Sequence, residues 1–369
     1  MRKTAGATSC CLVVLSLAAC GSPAEVGTAA SGRINAKPTV GVILPDKTSS
    51  DRWETQDRPL MAQAFGFAGI EPIIENANGD EDKFASLADD MIKRGVKVLI
   101  ITPLTAQGGI DVERKAQAAK IPVIDYDRIS LGGSADYYVS FDNANVGELQ
   151  AEGMLSCLGQ KPGAQIVEMQ GAPTDNNATL VAEGQHRKLA SKYDSGELKL
   201  VKTQAVDQWD PVLGKKLFEQ ILSGNGGKVD AVVAANDGLA GAVIEVLKEK
   251  NLAGTIPVTG QDATLASLQA ILRGEQCMTV YKPIRDEAEA AARLAIALAK
   301  DDVDGADDLA TGNLKDPVAK RDVKSILLGA DLITKPTVSR LVAESVVRPA
   351  ELCVDDLVAI CRQNDIVVN

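Results

Sequence analysis

The chain has 369 residues, 45% apolar and 24% charged, enough to bury more than one core, and a composition that excludes a disordered or low-complexity polymer. Its formal net charge of -11, with no Lys/Arg cluster to offset it locally, opposes phosphate backbones and anionic surfaces, so nucleic acid is not expected as a partner. Aromatic residues make up only 3%, so the placement of the two tryptophans, Trp53 and Trp209, is informative.

At the amino end, Arg2 and Lys3 precede an apolar run over 11–19 that is too short to span a bilayer, and Leu17-Ala18-Ala19-Cys20 closes it with small residues before a cysteine. This resembles a bacterial lipobox. It implies a lipoprotein signal peptide over 1–20, lipid on Cys20 and a place on the outer face of the cytoplasmic membrane; an ordinary secretory signal is the alternative, and both export the chain. Residues 21–36 are rich in Gly, Ala, Ser and Pro without apolar period and read as a flexible tether. Of the remaining cysteines, Cys157, Cys277, Cys353 and Cys361 form an even set in an oxidising compartment. Three pairings are open, and Cys353 with Cys361 closes the shortest loop.

From residue 39 the chain alternates apolar runs with amphipathic stretches. Strands are predicted at 39–44, 71–75, 96–102, the run ending at 124, and 137–141, with helices over 52–68, 82–94 and about 106–119 between them. After Asp142-Asn143 the pattern begins afresh: helix 146–158, strand 165–169, helix 177–193, strand 198–205, helix about 212–222, strand 229–234, helix 239–248 and strand 256–259. The run Val96 to Ile101 followed by Ile121-Pro122-Val123 is echoed by Val229 to Ala234 followed by Ile256-Pro257-Val258 at nearly the same spacing. Two similar α/β lobes, each with a parallel sheet covered by helices, are the simplest reading. A strand at 279–283, a helix over 285–299, an acidic surface segment at 301–308, a strand at 323–328 and two helical patterns over 337–344 and 355–362 complete the chain.

The residues that follow each strand carry the chemistry. Asp125, Asp127 and Arg128 follow one; Asp142 and Asn143, Asn176 and Asn177, Trp209 and Asp210, Asn236 and Asp237, Gln261 and Asp262, and Lys282 follow others. In open α/β sheets the carboxyl ends of strands face a crevice. Carboxylates, amides, a guanidinium and an ammonium converging there both donate and accept, which a ring of neighbouring hydroxyls requires, and an indole packs on the C–H face of a pyranose. A sugar fits that inventory. Blander roles compete: Asp142, Asp237 and Asp262 are each placed to cap a helix, Asp127 and Arg128 to pair with each other, and either Trp to anchor a core. Other chemistry is poorly represented. The 76–82 segment places its glycine wrongly for a calcium loop and reads as a turn and helix start, the lone His186 lies in a helical pattern, and no Walker loop or GxGxxG follows a strand. No metal or cofactor is expected. An exported glycosidase using two of the acids is the enzyme alternative.

Together, Asp51-Arg52-Trp53, Asn76-Ala77-Asn78-Gly79, Tyr126-Asp127-Arg128, Ser140-Phe141-Asp142-Asn143, Asp175-Asn176-Asn177-Ala178, Asn236-Asp237, Gly260-Gln261-Asp262-Ala263 and Thr279-Val280-Tyr281-Lys282-Pro283 resemble the xylose-binding proteins of bacterial ABC importers and their relatives for other monosaccharides. The resemblance implies a type I periplasmic-binding-protein fold, two Rossmann-like lobes joined by a three-crossing hinge. It divides the chain into an N-terminal lobe of 37–142 plus 283–326 and a C-terminal lobe of 143–282 plus 327–369. It implies a non-enzymatic, monomeric receptor that delivers a monosaccharide, D-xylose first and a hexose such as glucose or galactose second, to a membrane permease, with a sensory role compatible. By resemblance Arg52, Asp127, Arg128, Asn143, Asn177, Asn236, Asp262 and Lys282 hydrogen-bond the sugar, and Trp53 and Trp209 stack on it. The segment 46–50 looks closer to the hexose-binding relatives, and the tail after Val323 matches weakly.

Overall fold

The computed structural model describes residues 38–367, so the signal, the tether and Cys20 lie outside the described residues. The first lobe begins with β1 (Thr39–Leu44), one π-helical turn (Trp53–Asp57) that runs into α1 (Arg58–Phe67), β2 (Glu71–Asn76), α2 (Glu81–Lys93), β3 (Val98–Ile101), α3 (Ala106–Ala118), β4 (Val123–Tyr126) and β5 (Tyr137–Phe141). The second follows with α4 (Asn143–Leu158), β6 (Ala164–Gln170), α5 (Asn176–Asp194), β7 (Leu198–Ala205), α6 (Pro211–Gly224), β8 (Ala231–Ala234), α7 (Asp237–Glu249), α8 (Leu265–Arg273) and β9 (Met278–Tyr281). The chain returns to the first lobe for α9 (Ile284–Ala299), α10 (Val303–Leu309), β10 (Gly312–Asp316) and β11 (Arg321–Leu328). It ends on the second with β12 (Asp331–Thr334), α11 (Val338–Ala343), α12 (Pro349–Leu352) and α13 (Leu357–Gln363).

The first sheet has the order β10-β11-β5-β4-β3-β1-β2, parallel throughout except for the β10–β11 edge pair. Side-chain alternation along its strands feeds two cores. Val40, Val42, Val98, Ile100 and Ile124 pack against Met61 and Phe65 of α1 and the alanine-rich face of α9, while Ile43, Leu99, Ile101 and Val123 meet Phe84 and Met91 of α2 and Val112 of α3. A strand buried on both faces needs a continuous apolar run, which these segments supply. The second lobe repeats the plan with the parallel sheet β7-β6-β8, whose faces pack against Phe218 and Val243 on one side and Met154 and Leu189 on the other. The antiparallel pair β12–β9 lies beside it, and three crossings, after β5, β9 and β11, join the lobes.

Several local expectations are corrected. Only Val258 of the expected 256–259 strand pairs, in an isolated parallel bridge with Val232. The 52–68 helix starts as a π-helical turn, and the acidic 301–308 segment contains α10, capped by Asp302. Helices α8 and α12 and strands β10 and β12 were not anticipated. β11 stays in the first sheet to the Leu328↔Phe141 pair, so residues 327 and 328, assigned to the C-terminal lobe from sequence, belong to the first sheet. The tail packs on α8, where Leu268, Ile271, Leu341, Leu352 and Leu357 form a separate apolar cluster. Cys353–Cys361 ties that tail with a Cα separation of 5.9 Å, and Cys157–Cys277 links the end of α4 to the approach to β9 at 6.3 Å.

Candidate functional site

After β1, the Asp46 carboxylate accepts from the backbone N–H groups of Thr48 and Ser49 at 2.8 and 2.7 Å and from the Ser49 hydroxyl at 2.8 Å, which folds the loop into a turn. Ser49 Oγ then accepts from the Trp53 indole at 3.2 Å. Arg52 is fully buried beneath this turn. Its Nε and Nη2 fork the Asp57 carboxylate at 3.0 and 2.8 Å, Nη1 reaches Asp127 Oδ2 at 3.0 Å and Nη2 reaches Glu287 Oε2 at 2.5 Å. Tyr126 donates to Asp57 Oδ1 at 2.5 Å. Burial pushes the Glu287 carboxyl well above the usual range, against the opposing pull of Arg52.

Asp127 sits just beyond β4 with φ +61°, a left-handed backbone that turns its carbonyl toward three donors: Tyr138 Oη at 3.0 Å, Ser140 Oγ at 2.7 Å and Asn177 Nδ2 at 2.8 Å. Burial alone would raise its carboxyl, but Lys282, Arg52 and Arg128 outweigh that and hold it below its ordinary value. Lys282 directly follows β9 with Nζ 3.0 Å from Asp262 Oδ1 and 3.8 Å from Asp127 Oδ2; these carboxylates overcome its burial and keep it charged. Asp262 also has a positive φ, +101°.

Asn236 caps α7 and donates Nδ2 to the Ser49 carbonyl at 3.1 Å, across the lobes. Trp209, at φ +56°, donates its indole N–H to Asp175 Oδ2 at 3.1 Å and lies against Gly171, where a Cβ would collide with the ring. Arg128 does not pair with Asp127 as the sequence suggested; its Nε lies 3.0 Å from Asp175 Oδ2, an ion pair without hydrogen-bond alignment. The capping expectations are also refined, since Asp142 caps α4 but Asn236 and Thr264, rather than Asp237 and Asp262, cap α7 and α8. Trp53 and Trp209 each belong to the core of their own lobe and line the cleft as well, so the two roles do not compete.

Arg52, Trp53, Asp127, Arg128, Asn143, Asn177, Trp209, Asn236, Asp262 and Lys282 all line one cleft between the lobes, with about 370 Å3 free of protein atoms and part of it open to solvent. Ser49, Ser50, Asp175 and Gln261 complete the lining; Gln261 was read among the strand-end polar residues but none of the four was carried into the binding set. Gln261 adjoins Asp262 and Asp175 lies two residues before Asn177 in the same motifs, and that proximity was the available signal. Ser49 and Ser50 carry none, because their place depends on the Asp46 turn. Two buried polar atoms of the lining, Ser50 Oγ and Gln261 Oε1, have no polar partner within the protein, while Arg128 Nε and Asp262 Oδ1 are held only by their ion pairs with Asp175 and Lys282. Among the described residues, no group of three or more His, Cys, Asp and Glu side chains is arranged to hold a metal ion.

The profile of the periplasmic binding protein domain matches residues 40–302. The chain belongs to the periplasmic binding protein family. Within that family it is 39% identical over 277 residues to a D-xylose-binding periplasmic protein of Escherichia coli K12, covering 75% of this chain and 82% of that protein. A D-xylose-binding periplasmic protein of Haemophilus influenzae is 35% identical over 308 residues, covering 81% and 91%. A carbohydrate transporter solute-binding protein of Chloroflexus aurantiacus, solved with D-glucose, superposes with a TM-score of 0.78 at 28% identity, covering 86% of this chain and 98% of that one. The two-lobed architecture is therefore the type I fold of sugar-binding members of the family.

Proposed function

We propose that the chain is the exported substrate-binding protein of an ABC sugar importer, held at the membrane by lipid on Cys20, and that it captures a monosaccharide between closing lobes and presents it to a permease. The observation that carries this reading is the convergence of charged groups, amides and two indoles on one cleft, where the buried Ser50 Oγ and Gln261 Oε1 have neither a hydrogen bond nor an ion pair within the protein. Buried polar groups need partners, and sugar hydroxyls supply donors and acceptors together. The ten residues chosen from sequence act as the binding set, the charged groups and amides on the hydroxyls and the two indoles on the ring faces. Contacts that form only when both lobes engage the sugar bias the hinge toward closure.

D-xylose is the first ligand proposed, on the 39% identity to the E. coli protein. A hexose is the second, because the 28% identical Chloroflexus protein was solved with D-glucose. Calorimetry with xylose, arabinose, ribose, glucose and galactose tests the reading: one aldose should bind well ahead of the rest, and no response to any would sink it. Hydrolysis of an aryl glycoside would instead select the glycosidase alternative. Palmitate labelling of the expressed chain, lost in Cys20→Ala, tests the anchor.

A further inference from the structure

The cleft has a neighbour. A larger space between the lobes, with about 1030 Å3 free of protein atoms and part of it open to solvent, is lined by Glu81 and Thr105 of the first lobe and by Thr174, Asp207 and Gln208 of the second. Three residues line both spaces: Arg128, Asp175 and Trp209. They form the partition between them.

Asp175 holds that partition together. Its Oδ1 accepts from the Asn177 backbone at 2.9 Å, which starts α5, and its Oδ2 accepts from the Trp209 indole at 3.1 Å while lying 3.0 Å from Arg128 Nε. One carboxylate oxygen thus meets an indole donor of its own lobe and a cation of the opposite lobe. The Asp175 side chain is 3% exposed, so water does little to screen the pair. Gln208 and Trp209 both occupy the left-handed region, at φ +54° and +56°, so the ring's position depends on what holds it from outside its own backbone.

We propose that Asp175 is a specificity-determining gate: its pairing with Arg128 closes the sugar chamber toward the neighbouring space, confining the ligand to an unsubstituted monosaccharide and slowing its release. This rests on the functional reading above. A substituent on the hydroxyl nearest the partition needs the volume beyond it, and the Arg128–Asp175 contact stands in that path. The contact joins the lobes directly and must break before they part. Asp175→Ala removes the partition and the Trp209 tether together, whereas Asp175→Asn removes the charge that attracts Arg128 and keeps one oxygen acceptor, which serves either the Trp209 indole or the Asn177 N–H but not both.

Stopped-flow kinetics and calorimetry on the unaltered protein, Asp175→Asn and Asp175→Ala test the gate, using the preferred aldose and its mono-O-methyl derivatives at each hydroxyl. Both variants should release the aldose about tenfold faster or more, with association changed less than about threefold, because the lost contact acts on the closed state. Asp175→Ala should bind at least one methylated derivative that the unaltered protein rejects. Tryptophan emission should shift in Asp175→Ala and shift less in Asp175→Asn, whose one amide oxygen can still accept from the Trp209 indole, while faster release is common to both. Release unchanged in both variants, or discrimination against every derivative unchanged in Asp175→Ala, overturns the gate. Failure of the unaltered protein to bind any aldose instead overturns the functional reading on which the gate depends.

Discussion

Asn236 bridges the lobes with one side chain: Oδ1 accepts from Leu239 N at 2.9 Å as the cap of α7, and Nδ2 donates to the Ser49 carbonyl of the first lobe at 3.1 Å. The two ends can be separated by substitution. Asn236→Asp keeps the cap but sets a carboxylate against the carbonyl, so sugar affinity should fall by about tenfold or more with little change in unfolding midpoint. Asn236→Ala loses the cap as well, at a further cost of about 1 kcal/mol in stability. Calorimetry beside urea denaturation separates the two effects, and equal behaviour of both variants in both assays would contradict the division of labour.

Asp127 neutralises Arg52 at 3.0 Å and faces Lys282 at 3.8 Å, all of them buried. Asp127→Ala leaves two cations in the first lobe and the crossing without a shared counter-charge. Because Arg52 keeps Asp57 and Lys282 keeps Asp262, the loss is that of charge-assisted contacts, about 1.5–3 kcal/mol. Urea denaturation should show that loss together with abolished sugar binding, and a midpoint within error of the unaltered protein would contradict the network.

Gly171 is where the Trp209 ring rests, and an added Cβ collides with it. Gly171→Ala should therefore displace the ring, at a cost of about 1–3 kcal/mol from overpacking and a weaker sugar complex. The control is Gly66→Ala on the other lobe, where nothing lies within 4 Å of the added carbon. A shift of tryptophan emission in the first variant and none in the second is the expected result.

Burial, with Asp262 nearby, raises the Asp237 carboxyl to about 7, although Thr264 N, Thr279 Oγ1 and Gln276 Nε2 all donate to it. In the unfolded chain it titrates near about 4. The folded state therefore binds the extra proton in between. The stability this group contributes is complete below about pH 4, is lost as pH rises toward about 7 and changes no further above that. The span corresponds to up to roughly 4 kcal/mol. Asp237→Asn should flatten this part of the profile in urea unfolding measured from pH 4 to 8, and an unchanged slope would count against the assignment.

The two disulfides close loops of very different size, with sequence separations of 120 and 8 residues. Chain entropy alone assigns about 5 kcal/mol to Cys157–Cys277 and about 2.5 kcal/mol to Cys353–Cys361. Replacing the first pair by serine should lower the unfolding midpoint more than replacing the second. The reverse order would show that the tail cluster on α8 depends on its bridge more than loop size accounts for.

Sequence periodicity was legible where strands are buried on both faces and helices are long, as in β3, β4 and α5, because burial demands continuous or regularly spaced apolar residues. It was not legible in short elements. α8 carries a Thr264 cap, an apolar face at Leu268, Ile271 and Leu272, and Gly274 in the left-handed conformation, yet its nine residues offer too few turns for a period to stand out. β12 is short, and its pairing with β9 is long-range.

By itself, the sequence determined the alternation of strands and helices, the polar residues after the strands and the two tryptophans among them, since these follow from local chemistry and spacing. Which of those groups meet was decided only by tertiary structure. Arg128 and Asp127 are adjacent in the chain, but Arg128 finds Asp175 in the other lobe while Asp127 turns through a left-handed φ toward Arg52 and Lys282. Burial is the physical reason. A charge withdrawn from water takes the opposite charge that the folded lobes bring within reach, and chain adjacency has no bearing on that choice.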